Sequence, residues 1–470
     1  MTKDPNDLTS PIDEGIRAED LGHTLFIGVG GVGMNGLTRL YATRGLEVSG
    51  SELKDWPNLP ELERLGVTLH REHAESNLDG VDTVVRSTAH NDEHLEVAEA
   101  RRRGIRVYHR SEALAAAMTG LQSVVVTGTH GKTTTTAIIV QMLEHAGKAP
   151  SYVNGGEIIG AFNGAHGAGE LFVAEADESD RSFLRYRPEI GVVTNIDLDH
   201  LNTYGDMDSL TEAFERFCAN TSKDGLLVLC ADDERTAALA ERFRAEGRTV
   251  ATYGFADEAD IQIGEVESHK DGVDYTVLLH GQELGRFHLP MPGSHIALNS
   301  AAAIAVGLHV GLDADEIAKG LAAFGGVRRR FEKRGEVDGY AVFDEYAYHP
   351  TAMTAAIRTL KEVAAPGRLI VVFMPLRVYR TIELRAELAE ALSLADKAVV
   401  MEIFAPGEPI PEGEGGERLA EAIDLPEGDK VFVAEWDDVP AAVKALAAEG
   451  DVVVTMGAPP ISLMPDDLLR

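Results

Sequence analysis

Short unbroken runs of apolar and β-branched residues recur along the chain, and between them apolar positions return roughly every three or four residues. Thr24-Leu25-Phe26-Ile27, Glu47-Val48-Ser49-Gly50-Ser51-Glu52, Val67-Thr68-Leu69, Thr83-Val84-Val85 and the segment at Val107 make a first group. Val124-Val125-Val126, Leu171-Phe172-Val173-Ala174, Ile190-Gly191-Val192-Val193, Leu226-Leu227-Val228-Leu229, Val250-Ala251-Thr252-Tyr253 and the alternating Tyr275-Thr276-Val277-Leu278-Leu279 make a second. Ala341-Val342-Phe343-Asp344, Leu369-Ile370-Val371-Val372-Phe373, Lys397-Ala398-Val399-Val400-Met401 and Asp451-Val452-Val453-Val454-Thr455 make a third. A short apolar run without alternation predicts a strand covered on both faces, and the helical spacing at 35–44, 94–103, 111–118, 137–145, 299–310, 351–363 and 382–392 supplies the covers. Strand and helix in alternation predict parallel sheets with crossover helices. The expected fold is α/β with three domains, each a mostly parallel sheet flanked by helices, over 1–121, 122–325 and 326–470. Pro290-Met291-Pro292-Gly293 interrupts the second group, and the Pro-, Gly- and Glu-rich stretch 406–416 reads as a surface loop.

Two glycine-rich turns fall where a strand runs into a helix. Gly28-Val29-Gly30-Gly31-Val32-Gly33-Met34 follows the first strand, and the next strand ends in Glu52, the place where an acid holds a ribose hydroxyl in dinucleotide-type folds. The first domain is therefore expected to be Rossmann-like. The second turn, Thr127-Gly128-Thr129-His130-Gly131-Lys132-Thr133-Thr134, is a shortened phosphate loop. Gly128 and Gly131 let backbone approach a polyphosphate, the free N–H groups at the helix start point at the anion, Lys132 places a charge on the terminal phosphates, and the Thr133 hydroxyl can ligate magnesium.

The strands flanking that turn end in acids and an imidazole. Leu171–Ala174 delivers Glu175-Ala176-Asp177-Glu178-Ser179-Asp180, and the run from Ile190 delivers Asp197, Asp199 and His200. In a parallel sheet these ends share one edge with the phosphate loop, so Thr133, Glu175 and His200 are the expected magnesium ligands, the ion keeping its waters and taking phosphate oxygens. Arg328-Arg329-Arg330, at the start of the third region, offers Arg330 to the terminal phosphate.

Composition narrows the reading. With 470 residues and a formal net charge of -34, the chain is long enough for several cores and is repelled by nucleic acid and anionic membrane. Only Cys218 and Cys230 are present, too few for a disulfide framework, and no run of about eighteen apolar residues occurs; a cytoplasmic protein is expected. The polar, acidic stretch 1–20 predicts a mobile leader without an export signal.

Taken together, Gly28–Met34 with Ser49-Gly50-Ser51, residues 127–136, 175–183, 195–205, 325–331 and 344–350 resemble the Mur ligase family over 24–469. The resemblance implies a UDP-sugar domain, a central ATPase and a C-terminal domain for the incoming amino acid. It also implies an ADP-forming ligation in peptidoglycan precursor synthesis, joining UDP-N-acetylmuramate through an acyl phosphate to L-alanine or another small amino acid. By resemblance, Lys132, Glu175, His200 and Arg330 carry catalysis. ATP is held by Gly128 to Thr134, Asn299, Arg330 and Asp344, the UDP-sugar by Gly28, Gly30, Gly31, Gly33, Met34, Ser51, Glu52, Ser87 and Ser182, and the amino acid by Tyr346, Tyr348, His349, Arg377 and Arg380. Partners are small molecules only, and the chain is a monomer or homodimer.

Several positions depart from the alanine-adding branch of that family. It reads D-D-Y-A-H-H-P where this chain has Asp344-Glu345-Tyr346-Ala347-Tyr348-His349-Pro350, and Q-P-H-R-Y-S-R-T where it has Met374-Pro375-Leu376-Arg377-Val378-Tyr379-Arg380-Thr381. It reads G-A-G-D-I at Gly457-Ala458-Pro459-Pro460-Ile461, and an asparagine at Ile296. These changes leave open a different amino acid, a paralogue of another pathway, or a nucleotide- or UDP-sugar-binding protein without ligation. The stretch Ala213-Phe214-Glu215-Arg216-Phe217 lacks the modified lysine of other branches, as the alanine-adding branch does.

Overall fold

Strand Thr24–Ile27 is buried on both faces: Phe26 belongs to one core, and Leu25 and Ile27 to another with Val84, Val97 and Ala100. It is the middle strand of a five-stranded sheet in the order Thr68–His70, Val48–Ser51, Thr24–Ile27, Thr83–Arg86, Arg106–His109, every pairing parallel. The computed structural model describes residues 15–269 and 271–470; most of the expected leader lies outside the described residues.

The phosphate-loop strand Gln122–Thr127 lies inside a ten-stranded sheet, between Leu171–Glu175 on one side and Ile190–Val193 on the other. Both neighbours are parallel to it, so three strand ends meet at one edge. Leu226–Cys230 and Thr249–Gly254 extend the parallel part; Ser151–Val153 and Gly164–Ala165 close the opposite side. The last sheet has six strands, Glu332–Val337, Tyr340–Glu345, Val452–Met456, Leu369–Phe373, Lys397–Met401 and Lys430–Val433, parallel except for the first hairpin. Its two faces carry separate cores, one around Ile357, Leu360, Val371 and Val454, the other around Val342, Val372, Val453 and Met464.

Among the described residues three sheets thus occur, one for each group of apolar runs, and the chain groups into two compact units. The described residues of 1–266, 274–288 and 297–325 make one unit, holding the first sheet and the phosphate loop; those of 267–273, 289–296 and 326–470 make the other. Within the first unit a single core runs from Phe26, Leu40 and Tyr41 to Phe172, Phe183 and Phe214. Helix Val32–Thr43 also sits on Gly164–Ala165: Asn163 Nδ2 donates to the Val32 carbonyl at 2.9 Å, and the His166 N–H donates to Thr43 Oγ1 at 2.9 Å.

Two helices begin well before their apolar spacing predicts, and the single helix expected over 382–392 is two, Val378–Glu383 and Arg385–Leu392. The helix expected from 137 is Lys132–His145, because its first turn consists of the lysine and threonines of the phosphate turn, whose polar side chains do not register as periodicity. The helix expected at 299–310 is Ser294–His309. No helix among the described residues is long and apolar enough to cross a membrane. Cys218 and Cys230 are free and buried, and burial pushes both thiols up to about 12.

Candidate active site

The phosphate turn is shaped by what surrounds it. Gly128 has φ +132°, and a Cβ there would lie 2.0 Å from Thr194 Oγ1, so the turn passes against the neighbouring strand end with no room for a side chain. The Thr129 N–H donates to the Asn195 carbonyl at 3.0 Å, and the His130 N–H donates to Asn195 Oδ1 at 2.9 Å. Thr194 Oγ1 returns a bond to the His130 carbonyl at 2.6 Å, and His130 Nε2 lies 3.1 Å from Asp197 Oδ2. The segment after Val193, expected only to bring acids to the edge, also splints the turn.

Lys132 opens the helix and folds its side chain back over the turn. Nζ donates to the Gly128 carbonyl at 2.6 Å, to the Thr129 carbonyl at 3.1 Å and to Glu178 Oε1 at 3.0 Å, with Glu178 Oε2 at 2.8 Å. Burial lowers the lysine pKa, but the Glu178 carboxylate, with Asp177 and Glu175 beyond it, carries it above its ordinary value. The ammonium is therefore fixed as a cation beside the helix start.

Thr133 Oγ1 donates to Glu175 Oε1 at 3.0 Å, and Glu175 Oε2 accepts the Gly155 N–H at 2.6 Å. A hydroxyl and a carboxylate this close at a phosphate turn suit a hard divalent cation that keeps most of its waters. His200, at φ +55°, places Nε2 3.4 Å from Glu178 Oε1 and 3.6 Å from Asp199 Oδ2. Burial opposes its protonation, yet the Glu178 hydrogen bond and the Asp199 charge raise its pKa above the usual histidine value. Glu178, almost fully buried, thus joins Lys132 to His200. Sequence reasoning missed that role: it singled out Glu175 from the acidic run, and chain spacing does not tell which acid turns toward the lysine. It missed Arg110 too, whose NH2 reaches Asp177 Oδ2 at 3.0 Å and Asp180 Oδ2 at 3.3 Å, tying the first sheet's last helix to the same run. Asn299 completes the edge, with Oδ1 2.7 Å from where a Gly131 Cβ would stand.

The first glycine turn is braced by its acid. The Gly30 N–H donates to Glu52 Oε2 at 3.0 Å, and the Gly28 N–H to the Ser51 carbonyl at 2.8 Å. Gly31 caps helix Val32–Thr43, which carries Gly33 and the buried Met34. Ser51 Oγ donates to the buried Glu96 Oε2 at 2.7 Å, and Ser87 Oγ lies 3.4 Å from His90 Nδ1. Ser182 is buried, its N–H donating to Asp180 Oδ1 at 3.0 Å.

In the second unit, Arg329 holds the buried Asp344: Nε donates to Oδ2 at 3.0 Å while Thr455 Oγ1 donates to Oδ1 at 3.0 Å. Burial raises the Asp344 pKa, and Arg329 opposes the rise. Arg330 lies 3.7 Å from Glu345 Oε1 and 5.1 Å over the Tyr346 ring. Glu345, one of the departures, is buried and accepts the Phe331 and Ala347 N–H groups at 2.9 and 3.0 Å, so its longer side chain is used by the local backbone. Tyr346 and Tyr348 meet edge-to-face at 5.6 Å, Arg380 stacks 5.0 Å over Tyr348, and His349 caps helix Pro350–Ala364. Arg377 pairs with Glu408 of the 406–416 loop, whose Oε2 also accepts the Val378 N–H at 3.2 Å. Leu376 bridges to Phe404, Val378 and Ile296 are buried, and Tyr379 and Pro459 are exposed.

A parallel sheet whose central strand ends in a glycine-lysine-threonine turn, beside a carboxylate and a clamped lysine, defines a phosphate-binding α/β protein of the nucleotide-dependent kind. Three family descriptions match the chain in succession: the Mur ligase family catalytic domain over 23–121, the Mur ligase middle domain over 126–307, and the Mur ligase glutamate ligase domain over 329–459. The UDP-N-acetylmuramate–L-alanine ligase of Salinispora arenicola is 56% identical over 455 residues, 97% of this chain and 89% of that one. Its counterpart in Streptomyces coelicolor is 43% identical, with 92% and 94% covered. Among solved structures, the UDP-N-acetylmuramate–alanine ligase MurC of Thermotoga maritima superposes with a TM-score of 0.80 at 26% identity, covering 95% of this chain and 97% of that one. The chain belongs to the Mur ligase family.

Proposed function

We propose that this chain is an ATP-dependent, ADP-forming ligase that joins UDP-N-acetylmuramate to L-alanine in peptidoglycan precursor synthesis. The observation that carries the reading is the Lys132 clamp at the phosphate turn, in a chain 56% identical to a ligase named for that reaction. The γ-phosphoryl group of ATP passes to the muramate carboxylate, giving an acyl phosphate and ADP. The alanine amine then attacks the acyl carbon, loses a proton, and inorganic phosphate leaves as the amide forms.

Such transfer is promoted by position and charge. The Gly128–Gly131 backbone and the start of helix Lys132–His145 receive the phosphates, and Lys132 supplies the fixed positive charge. Arg330 is assigned to the transferred phosphoryl group. Thr133, Glu175 and His200 are assigned to magnesium, which when bound neutralises phosphate charge. Gly28, Gly30, Gly31, Gly33 and Met34 with Ser51, Glu52, Ser87 and Ser182 are assigned to the UDP-sugar, Asn299 and Asp344 to ATP, and Tyr346, Tyr348, His349, Arg377 and Arg380 to the amino acid. The changed neighbours of Arg377 are compatible with alanine, because Arg377 and Arg380 both persist in defined contacts with Glu408 and Tyr348. A soluble cytoplasmic enzyme is the corresponding setting.

Phosphate release with UDP-N-acetylmuramate, ATP and magnesium, measured against a panel of amino acids, tests the reading. L-Alanine is expected to be the best acceptor. Release with none of them would overturn ligation, and a clear preference for another amino acid would overturn the acceptor.

A further inference from the structure

Three imidazoles converge in the first domain, away from the phosphate turn. His73, His90 and His94 each offer a ring nitrogen, and these atoms all lie within 4.8 Å of one another. The rings meet edge-to-face, with centroids 4.4 Å apart for His73 and His94, 4.9 Å for His90 and His94 and 6.1 Å for His73 and His90. Edge-to-face packing of neutral rings does not by itself need three histidines, since any aromatic would serve.

The polar surroundings are those of a ligand set. The buried Glu96 carboxylate accepts Ser51 Oγ and Asn77 Nδ2, each at 2.7 Å, and Glu96 Oε2 lies 2.9 Å from His73 Nδ1. A carboxylate on one ring nitrogen fixes the tautomer and makes the other nitrogen a better donor, as in carboxylate–histidine–metal triads. His90 has Ser87 Oγ 3.4 Å from Nδ1, which leaves Nε2 for a ligand. The Nδ1 of His94 is enclosed and has no hydrogen-bond partner.

We propose that His73, His90 and His94 form a site for a divalent transition-metal ion of the zinc class, with Glu96 as the carboxylate that orients His73. Three imidazoles select such an ion over magnesium or calcium, which prefer oxygen. Donors about 2 Å from tetrahedral zinc stand roughly 3.3 Å apart, so side-chain rotation of a modest amount brings the three nitrogens together. The site adjoins the first glycine turn, since His90 Cε1 lies 2.6 Å from where a Gly28 Cβ would be. It does not depend on the ligase reading, because its test needs no turnover.

The full chain, stripped by a chelator and returned to buffer with excess magnesium, is titrated with zinc and, separately, with cobalt(II). The wild type is expected to take up one equivalent more zinc than the His90→Ala/His94→Ala double variant, and to show the intense visible absorption of tetrahedral cobalt that the variant lacks. Melting curves in chelator check that the variant is folded; if it is not, His90→Asn and His94→Gln as single variants replace it. Equal zinc uptake by folded variants and wild type, or a wild type without the cobalt absorption, would overturn the site.

Discussion

Glu178 grips Lys132 from inside the central domain: the carboxylate oxygens stand 3.0 and 2.8 Å from Nζ, and the acid itself is 1% exposed. The lysine of the glycine turn is therefore not a free arm. It is held over its own turn by a buried acid, which sets both its charge and its position. A phosphate at the turn meets an ammonium already ordered, so less side-chain entropy is lost on binding.

Lys132→Ala removes the fixed charge that the proposed mechanism gives to phosphoryl transfer. Loss of one such electrostatic contact costs about 3 to 4 kcal/mol of barrier, so ATP-dependent ligation is expected to fall by on the order of a hundredfold or more. Phosphate release under saturating substrates measures it; a variant retaining a tenth of the wild-type rate would refute the assignment.

Glu178→Gln leaves the largely enclosed ammonium, its side chain 14% exposed, without its counter-charge. Breaking a buried pair from one side costs about 3 kcal/mol or more, so the urea midpoint of the ligand-free protein is expected to fall. An unchanged midpoint would mean that the two carbonyls of Gly128 and Thr129 suffice.

Gly128→Ala forces a side chain into a left-handed backbone position against the Thr194 hydroxyl. Overpacking of this kind costs about 1 to 3 kcal/mol, and here it also displaces the amides assigned above to phosphate. Calorimetry is expected to show ATP binding weakened by at least about tenfold, which corresponds to ~1.4 kcal/mol. Normal affinity would mean that the turn rearranges freely.

His200 makes stability depend on pH in a definite direction. Its pKa is raised in the folded chain, so the Glu178–His200 contact contributes fully below the unfolded value of about 6.5 and is lost as pH rises through the folded value. The stability gap between wild type and His200→Asn is expected to be widest near pH 6 and to narrow toward pH 9. A gap that widens with pH would show that the imidazole is neutral in the fold.

Arg377→Ala is expected to raise KM for L-alanine by roughly ten- to a hundredfold, the worth of one hydrogen-bonded charge, with a smaller effect on KM for ATP. Equal effects on both would argue that the Arg377–Glu408 pair is structural.

The apolar runs and the two glycine turns determined a great deal by themselves. Leu369–Phe373 and Lys397–Met401 are strands at the positions their sequence predicts, because an unbroken β-branched run has few other ways to bury itself. Edge and hairpin elements such as Glu332–Val337, Lys430–Val433 and Gln282–Leu289 escaped notice, since half their side chains face water and their pattern resembles that of loops. The strand, glycine turn and helix around Lys132 and Thr133 were legible because their signal is contained in consecutive residues. What only the tertiary structure decided is which distant groups meet there. Glu178 clamps Lys132 across 46 residues, Arg110 reaches Asp177 across 67, and His73 lies beside His90 and His94. Those pairings depend on how parallel strands and their crossovers bring chain ends to a shared edge, and residue spacing along one strand carries no record of that register.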